Sequence, residues 1–292
     1  MHDTRFQERL RELAEDRTHG ASELARRSLE VAAESARHAP ANDVRELSHT
    51  LHERAAAMAA ARPSMAPLQN LLGRWQEALA ELPAGELESA RRKAAEAALR
   101  LTEESRSAAV EAATTAAEFI GAGRTVMTHS LSSTVLEVFR RLKDAAVRAI
   151  VTESRPLCEG RELAARLSEW AIPTTFITDA EVGLFVERAD LALVGADTVL
   201  ADGSVVNKAG TYLLALAARD RGIPFYVCCE SFKRLKAETK RPILEEMDPS
   251  ELGTPERPHV TVANVYFDVT PARLVSGWFT EHGPVREGEA WP

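Results

Sequence analysis

The stretch TVMTHSLSSTVLEVFRRLKDAAVRAIVTESRP, Thr125–Pro156, reads as a strand, a helix and a second strand. TVMT and AIVTE are short apolar runs of the kind that form buried strands. SSTVLEVFRRLKDAA between them is amphipathic over about three turns. Parallel strands need such a crossover connection, so this unit predicts a parallel sheet. The alternation continues through TTFIT, LALVGAD, PFYVCCE and VYFDVT, with GRELAARLSEWA, AEVGLFVERA and GTYLLALAARDRG as the intervening helices. Residues 122–292 therefore read as one doubly wound α/β domain.

Residues 1–121 follow a different pattern. They are rich in Ala, Arg, Glu and Leu at helical spacing and contain no strand-like run. Helices are expected over about 4–16, 20–37, 41–61, 65–82 and 85–120, broken at RTHG, HAPAN, ARPSM and LPAG. The last of these, about ten turns long, is expected to prop the two domains together.

With 292 residues, 45% apolar and 27% charged, the chain can bury a substantial core. A net charge of −8 supplies no basic field for a phosphate backbone, so direct nucleic-acid binding is not expected. The N-terminus lacks an apolar signal region and no run approaches a membrane span, which predicts a cytoplasmic protein that does not engage a membrane. Cys158, Cys228 and Cys229 suggest neither a disulfide framework nor zinc spacing. Cys228 and Cys229, adjacent in a strand, should face opposite sides of the sheet. No motif calls for a metal or a cofactor.

Ligands of doubly wound sheets bind beyond the carboxyl ends of the strands. That rule selects His129, Ser130, Ser132 and Ser133 after TVMT, and Arg155 after AIVTE. It also selects Asp197 after LALVGA, and Glu230 and Lys233 after PFYVCC. Together they form an anion site. Ser132, Ser133 and Thr134 open a helix, and Thr134 with Glu137 fits a capping box; capping and phosphate contact are compatible there. A nucleophilic Ser130 is disfavoured, because His129 in an extended segment points the other way. Arg155, set by Pro156, reads as a site guanidinium or as a surface one. Asp197 reads as a partly buried general acid or as the cap of the next turn. Asn207 and Lys208, just before a helix starting near Gly210, suit a hydroxyl and a phosphate, without the order of a P-loop.

GADTVLADGSVVNKAGT, with THS, TESRP, ESFK and FDVTP in this order, resembles the family that joins regulatory subunits of eukaryotic initiation factor 2B to the methylthioribose-1-phosphate and ribose-1,5-bisphosphate isomerases. The strong match runs over about 124–284. THGASELARRSLE and RPSMAPLQNLL resemble the family's weaker Arg-Gly-Ala and Arg-Pro-Thr segments. The resemblance implies a helical domain over a Rossmann-like domain, a pocket between them, and a homodimer made through the C-terminal domain, with scope for a higher oligomer and a protein partner. It also implies a phosphorylated sugar or nucleotide as ligand, held by His19, Gly20, Ala21, Ser132, Ser133, Arg155, Asn207, Lys208 and Lys233.

In the isomerases Thr-His-Cys carries a catalytic thiol and the Asp of Gly-Ala-Asp is its acid/base partner. Those positions are Ser130 and Asp197 here. A 1-phosphorylated aldose cannot open its ring unaided, so isomerisation needs an acid and base of matched pKa. A thiol can be tuned for this; an unassisted serine hydroxyl cannot. His19 stands where the family has Arg, and Gly73 where another Arg is expected, with Arg74 displaced by one. The expectation is a regulatory binding protein. The alternative is an aldose–ketose isomerase in which Asp197 works with a water or with His129.

Overall fold

The computed structural model describes residues 2–83, 85–235, 244–255, 257–286 and 289. The chain divides into two compact units: residues up to Ser107 with Phe232–Leu235, and Ala108–Ser231 with the residues after Leu235.

The first unit is helical. It comprises α1 (His2–Glu15), α2 (Ala21–His38), α3 (Val44–Ala61), α4 (Ala66–Leu79) and the first part of α5 (Leu87–Ile120). Helix α3 begins where the Asp43 side chain accepts from Glu46 N–H, and α4 has a proline in its first turn, where no N–H is lost. Leu24, Leu29, Leu47, Leu51, Met58, Leu68, Leu71, Leu72 and Trp75 form the fully buried centre. Trp75 Nε1 donates to the Ala94 carbonyl at 2.9 Å, which satisfies its polar atom inside that core.

The second unit is built on a seven-stranded sheet. Its strands are β1 (Thr125–Thr128), β2 (Arg148–Thr152), β3 (Thr174–Ile177), β4 (Leu191–Val194), β7 (Phe225–Cys228), β9 (Gly277–Thr280) and β10 (Gly283–Val285). They lie in the order β10-β9-β7-β4-β1-β2-β3, all parallel except the β10 edge. The direction of winding reverses between β1 and β4, which makes their carboxyl ends the switch point of a Rossmann-like sheet.

Helices cover both faces. On one side α5, α6 (Ser133–Leu142) and α7 (Gly160–Glu169) bury Val126, Val151, Leu193, Cys228 and Phe279. On the other, α8 (Val182–Phe185) and α9 (Thr211–Asp220) bury Met127, Ile150, Val194, Val227 and Cys229. Cys228 and Cys229 thus belong to opposite cores, as strand alternation requires.

VYFDVT does not join the main sheet. Its strand β8 (Phe267–Thr270) pairs with β6 (Val205–Lys208), which also pairs with β5 (Thr198–Val199), in a separate antiparallel sheet. Asn207 and Lys208 accordingly stand on a strand rather than in a pre-helical loop. The sixth parallel strand of the main sheet is GWFT instead. Its single short apolar run resembles any other turn-bounded segment, so periodicity does not distinguish it. Among the described residues no helix is long and apolar enough to cross a membrane.

Candidate functional site

The chain leaving β1 turns sharply at Ser130, whose φ is 67°, a left-handed conformation unfavourable for a residue with a Cβ. Its N–H donates to Ser154 Oγ at 2.7 Å, which helps to hold the turn. Ser132, rather than Thr134, caps α6 by accepting from Val135 N–H at 3.4 Å. The expected Thr134–Glu137 box does not form. Glu137 pairs instead with Arg140 and Arg141 on its own helix, and Thr134 Oγ1 is buried without a hydrogen-bond partner. Ser133 is exposed on the first turn of α6. Gly195, just past β4, lies against this cap: a Cβ there would meet Ser132 Oγ at 2.3 Å.

His129 is 2% exposed and uses both ring nitrogens. Nδ1 is 2.7 Å from Thr152 Oγ1 and Nε2 is 2.9 Å from the Ala209 carbonyl oxygen. Burial pushes its pKa below the ordinary imidazole value, assisted by Lys208 and opposed by the Ala209 contact and Asp179. Both nitrogens of the buried imidazole are thus engaged within the protein.

After β2, the chain passes through Ser154, another left-handed residue at φ 65°. The carboxylate of Asp179, beyond β3, accepts from the N–H groups of Ser154 at 2.7 Å and Arg155 at 2.8 Å. Asp179 was reachable by the strand-end rule had it been applied to TTFIT as to the other runs. The Arg155 side chain is exposed, and Nη2 donates to the Leu252 carbonyl at 3.1 Å. Gly160, at the start of α7, cannot be replaced without collision, since a Cβ would lie 1.8 Å from Thr152 O.

Lys208 is 4% exposed, its Nζ 2.7 Å from Glu159 Oε1 and 4.4 Å from the Tyr266 ring centroid. Glu159 Oε2 is buried and has no hydrogen-bond partner. The expected phosphate cation is therefore held by an internal carboxylate, a partner 49 residues away that no local pattern reveals. Asn207 Nδ2 donates to Thr211 Oγ1 at 3.0 Å, and that hydroxyl donates to the Lys208 carbonyl at 2.6 Å. Asp197 stands half-buried between β4 and β5, its N–H on the Val206 carbonyl at 2.9 Å.

Asp268 is a site residue that sequence reading left without a role. Its Oδ2 accepts from Gly210 N–H at 2.8 Å and Tyr212 N–H at 3.1 Å, capping α9. Oδ1 is buried with no hydrogen-bond partner, and burial raises the pKa to about 6 against the two donated bonds. Glu230, also selected by the strand-end rule, is 1% exposed past β7.

His19, Gly20 and Ala21 belong to the helical unit, at the start of α2. His19 Nε2 is 2.8 Å from Arg27 Nη2 and Nδ1 is 2.8 Å from Asp16 Oδ2. Gly20 caps α2 without a side-chain bond. Lys233 is buried and groups with the same unit, where Asn70 Nδ2 donates to the neighbouring Phe232 and Arg234 carbonyls. Among the described residues no group of three His, Cys, Asp or Glu side chains is arranged to hold a metal ion.

Comparison with known proteins agrees with this architecture. The chain is 38% identical to a translation initiation factor eIF-2B subunit 2-like protein of Pyrococcus abyssi over 288 residues, covering 96% of each. It is 36% identical to a ribose 1,5-bisphosphate isomerase of Haloterrigena turkmenica over 179 residues, 55% of this chain and 54% of that one. The crystal structure of a Pyrococcus horikoshii translation initiation factor eIF-2B superposes with a TM-score of 0.84 at 38% identity, covering 97% of this chain and 98% of that one. The model of the initiation factor 2 subunit family matches residues 17–287, and the chain belongs to that family.

Proposed function

We propose that this protein binds a phosphorylated sugar or nucleotide at the carboxyl edge of its parallel sheet and uses the bound state to regulate a protein partner in the cytoplasm, without turnover. The observation that carries this reading is the pair His129–Ser130. The imidazole next to Ser130 is buried and bonded through both nitrogens, with its pKa pushed down by burial, which argues against its serving as the base for the Ser130 hydroxyl. The groups this reading assigns to the ligand are Ser132 and Ser133 at the start of α6, Arg155, Asn207 and Lys208, with His19, Gly20, Ala21 and Lys233 carried over from the family resemblance; Lys208 would exchange its Glu159 partner for the phosphate. A homodimer through the α/β unit is supported by its exposed apolar side chains, Leu184 at 65%, Leu213 at 63% and Val269 at 39%.

The 36% identity to a ribose 1,5-bisphosphate isomerase favours a second reading, an aldose–ketose isomerase acting on a 1-phosphorylated pentose through Asp197. Calorimetry against sugar phosphates and nucleoside monophosphates, paired with an NMR turnover assay on ribose 1,5-bisphosphate and methylthioribose 1-phosphate, separates the two. Binding without turnover in wild type, with turnover appearing in Ser130→Cys, is the expected outcome. Turnover by the wild-type protein establishes the isomerase reading, and no binding to any of these ligands removes both.

A further inference from the structure

We propose that His129 is a positioning residue: through one fixed tautomer it ties the ends of β1 and β2 to the turn that carries Lys208 into α9. The Ala209 carbonyl only accepts, so the 2.9 Å contact puts a hydrogen on Nε2. In the neutral ring Nδ1 is then bare and accepts from the Thr152 hydroxyl at 2.7 Å. Thr152 has spent its proton, so at the 3.0 Å contact with Ser154 it is Ser154 that donates, with a second branch to the Thr152 carbonyl at 3.3 Å. Ser154 Oγ in turn accepts from Ser130 N–H at 2.7 Å. Every donor in this chain points the same way, from Ser130 N–H through Ser154 and Thr152 to His129, and from His129 to Ala209.

The chain spans three elements that meet only in the fold. Its imidazole end is packed as tightly as it is bonded: a Cβ at Gly210 would lie 2.7 Å from the His129 Cε1 and Nε2 atoms. The charged groups around the ring are Asp179, with Oδ1 3.9 Å from Nδ1, together with Lys208 and Glu159. Asp179 is already engaged by two backbone N–H groups, and Lys208 with Glu159 forms an ion pair, so none of them takes over an imidazole hydrogen bond. Ser130 enters through its backbone alone, which leaves the side chain replaceable without breaking the chain.

Three measurements on the full-length protein test this, and only the last rests on the ligand-binding reading. Nitrogen-15 histidine NMR of ligand-free wild type should show one imidazole with hydrogen on Nε2 and a bare Nδ1, titrating below the ordinary imidazole value. A ring protonated on Nδ1 instead, or one titrating near 6.5, overturns the proposal. His129→Asn should speed amide exchange at Ser130 and Gly210 by at least about tenfold while leaving β7 amides protected; unchanged exchange at both overturns it. If the variant does not fold, Thr152→Val, which keeps the imidazole and removes the donor to Nδ1, is read for the same two amides. For ribose 5-phosphate, if wild type binds it, His129→Asn should weaken affinity about tenfold. Equal affinity in His129→Asn and wild type counts against positioning, whereas absence of binding in wild type bears on the proposed function, and the NMR and exchange results still decide the role of His129.

Discussion

Two histidine–glycine corners, one in each unit, open helices in contrasting ways. At the start of α2, His19 is held by Asp16 and Arg27, partners three and eight residues away, and the adjoining Gly20 has a φ of −74° with nothing within 4 Å of an added Cβ. At the start of α9, His129 reaches the corner from another strand, 80 residues from Ala209, and Gly210 has a φ of 110° with the imidazole 2.7 Å from where its Cβ would be. The first corner is assembled locally and tolerates change. The second is a junction of distant elements, so a perturbation at one strand end reaches the others.

The largest expected effect is from Gly210→Ala. It combines a disfavoured backbone conformation with a methyl driven into the His129 ring, and should cost about 3 kcal/mol or more by chemical denaturation. A loss below about 1 kcal/mol would mean the α9 corner is as permissive as the α2 corner.

Titration separates the groups next. Asp268 has a native pKa of about 6 against an ordinary 3.8, so the native state binds more protons between those values. Its contribution therefore falls as pH rises from about 4 to about 6 and is flat above; the span is at most about 3 kcal/mol. Asp268→Asn, which keeps an acceptor for the cap, should flatten that slope in denaturant titrations. His129 acts in the opposite sense. Its lowered native pKa means the unfolded state takes up the proton first, so stability is lost as pH falls below 6.5. Curves for wild type, Asp268→Asn and His129→Asn should therefore diverge in opposite directions on acidification.

Ser132→Ala removes the α6 cap and should cost about 1 kcal/mol, read as a lowered denaturation midpoint. The smallest effect is expected of Gly20→Ala, within about 1 kcal/mol of wild type, because the backbone there is open to any residue and no neighbour is displaced. A loss comparable to that of Gly210→Ala would erase the distinction between the two corners.

The same distinction governs what was legible beforehand. The five helices of the first half follow from apolar spacing and breaker residues, and α5 is recovered almost to its ends because an Ala-rich run needs no distant partner to declare itself. TVMT, AIVTE, TTFIT, LALV and FYVC announce the parallel sheet through their apolar runs. VVNK and VYFDVT were harder: their pairing with each other follows from closure of a second sheet, and no period in either segment specifies it. Strand ends located His129, Ser130, Arg155 and Asp197 at the carboxyl edge of the main sheet. The partners of Lys208 and the cap of α9 were invisible, since Glu159 and Asp268 lie 49 and 58 residues from the groups they hold.

Sequence by itself therefore determined the helical half, the parallel α/β half and the edge at which ligands of such a sheet bind, because those depend on periodicity and on the direction of strands. Only the tertiary structure decided what state the residues at that edge are in. It made His129 a buried crosspiece bonded through both nitrogens, placed Lys208 on Glu159 and left Asp268 half-satisfied in a buried cap. The physical reason is that hydrogen-bond partners and burial set protonation, and both are supplied by side chains far away along the chain.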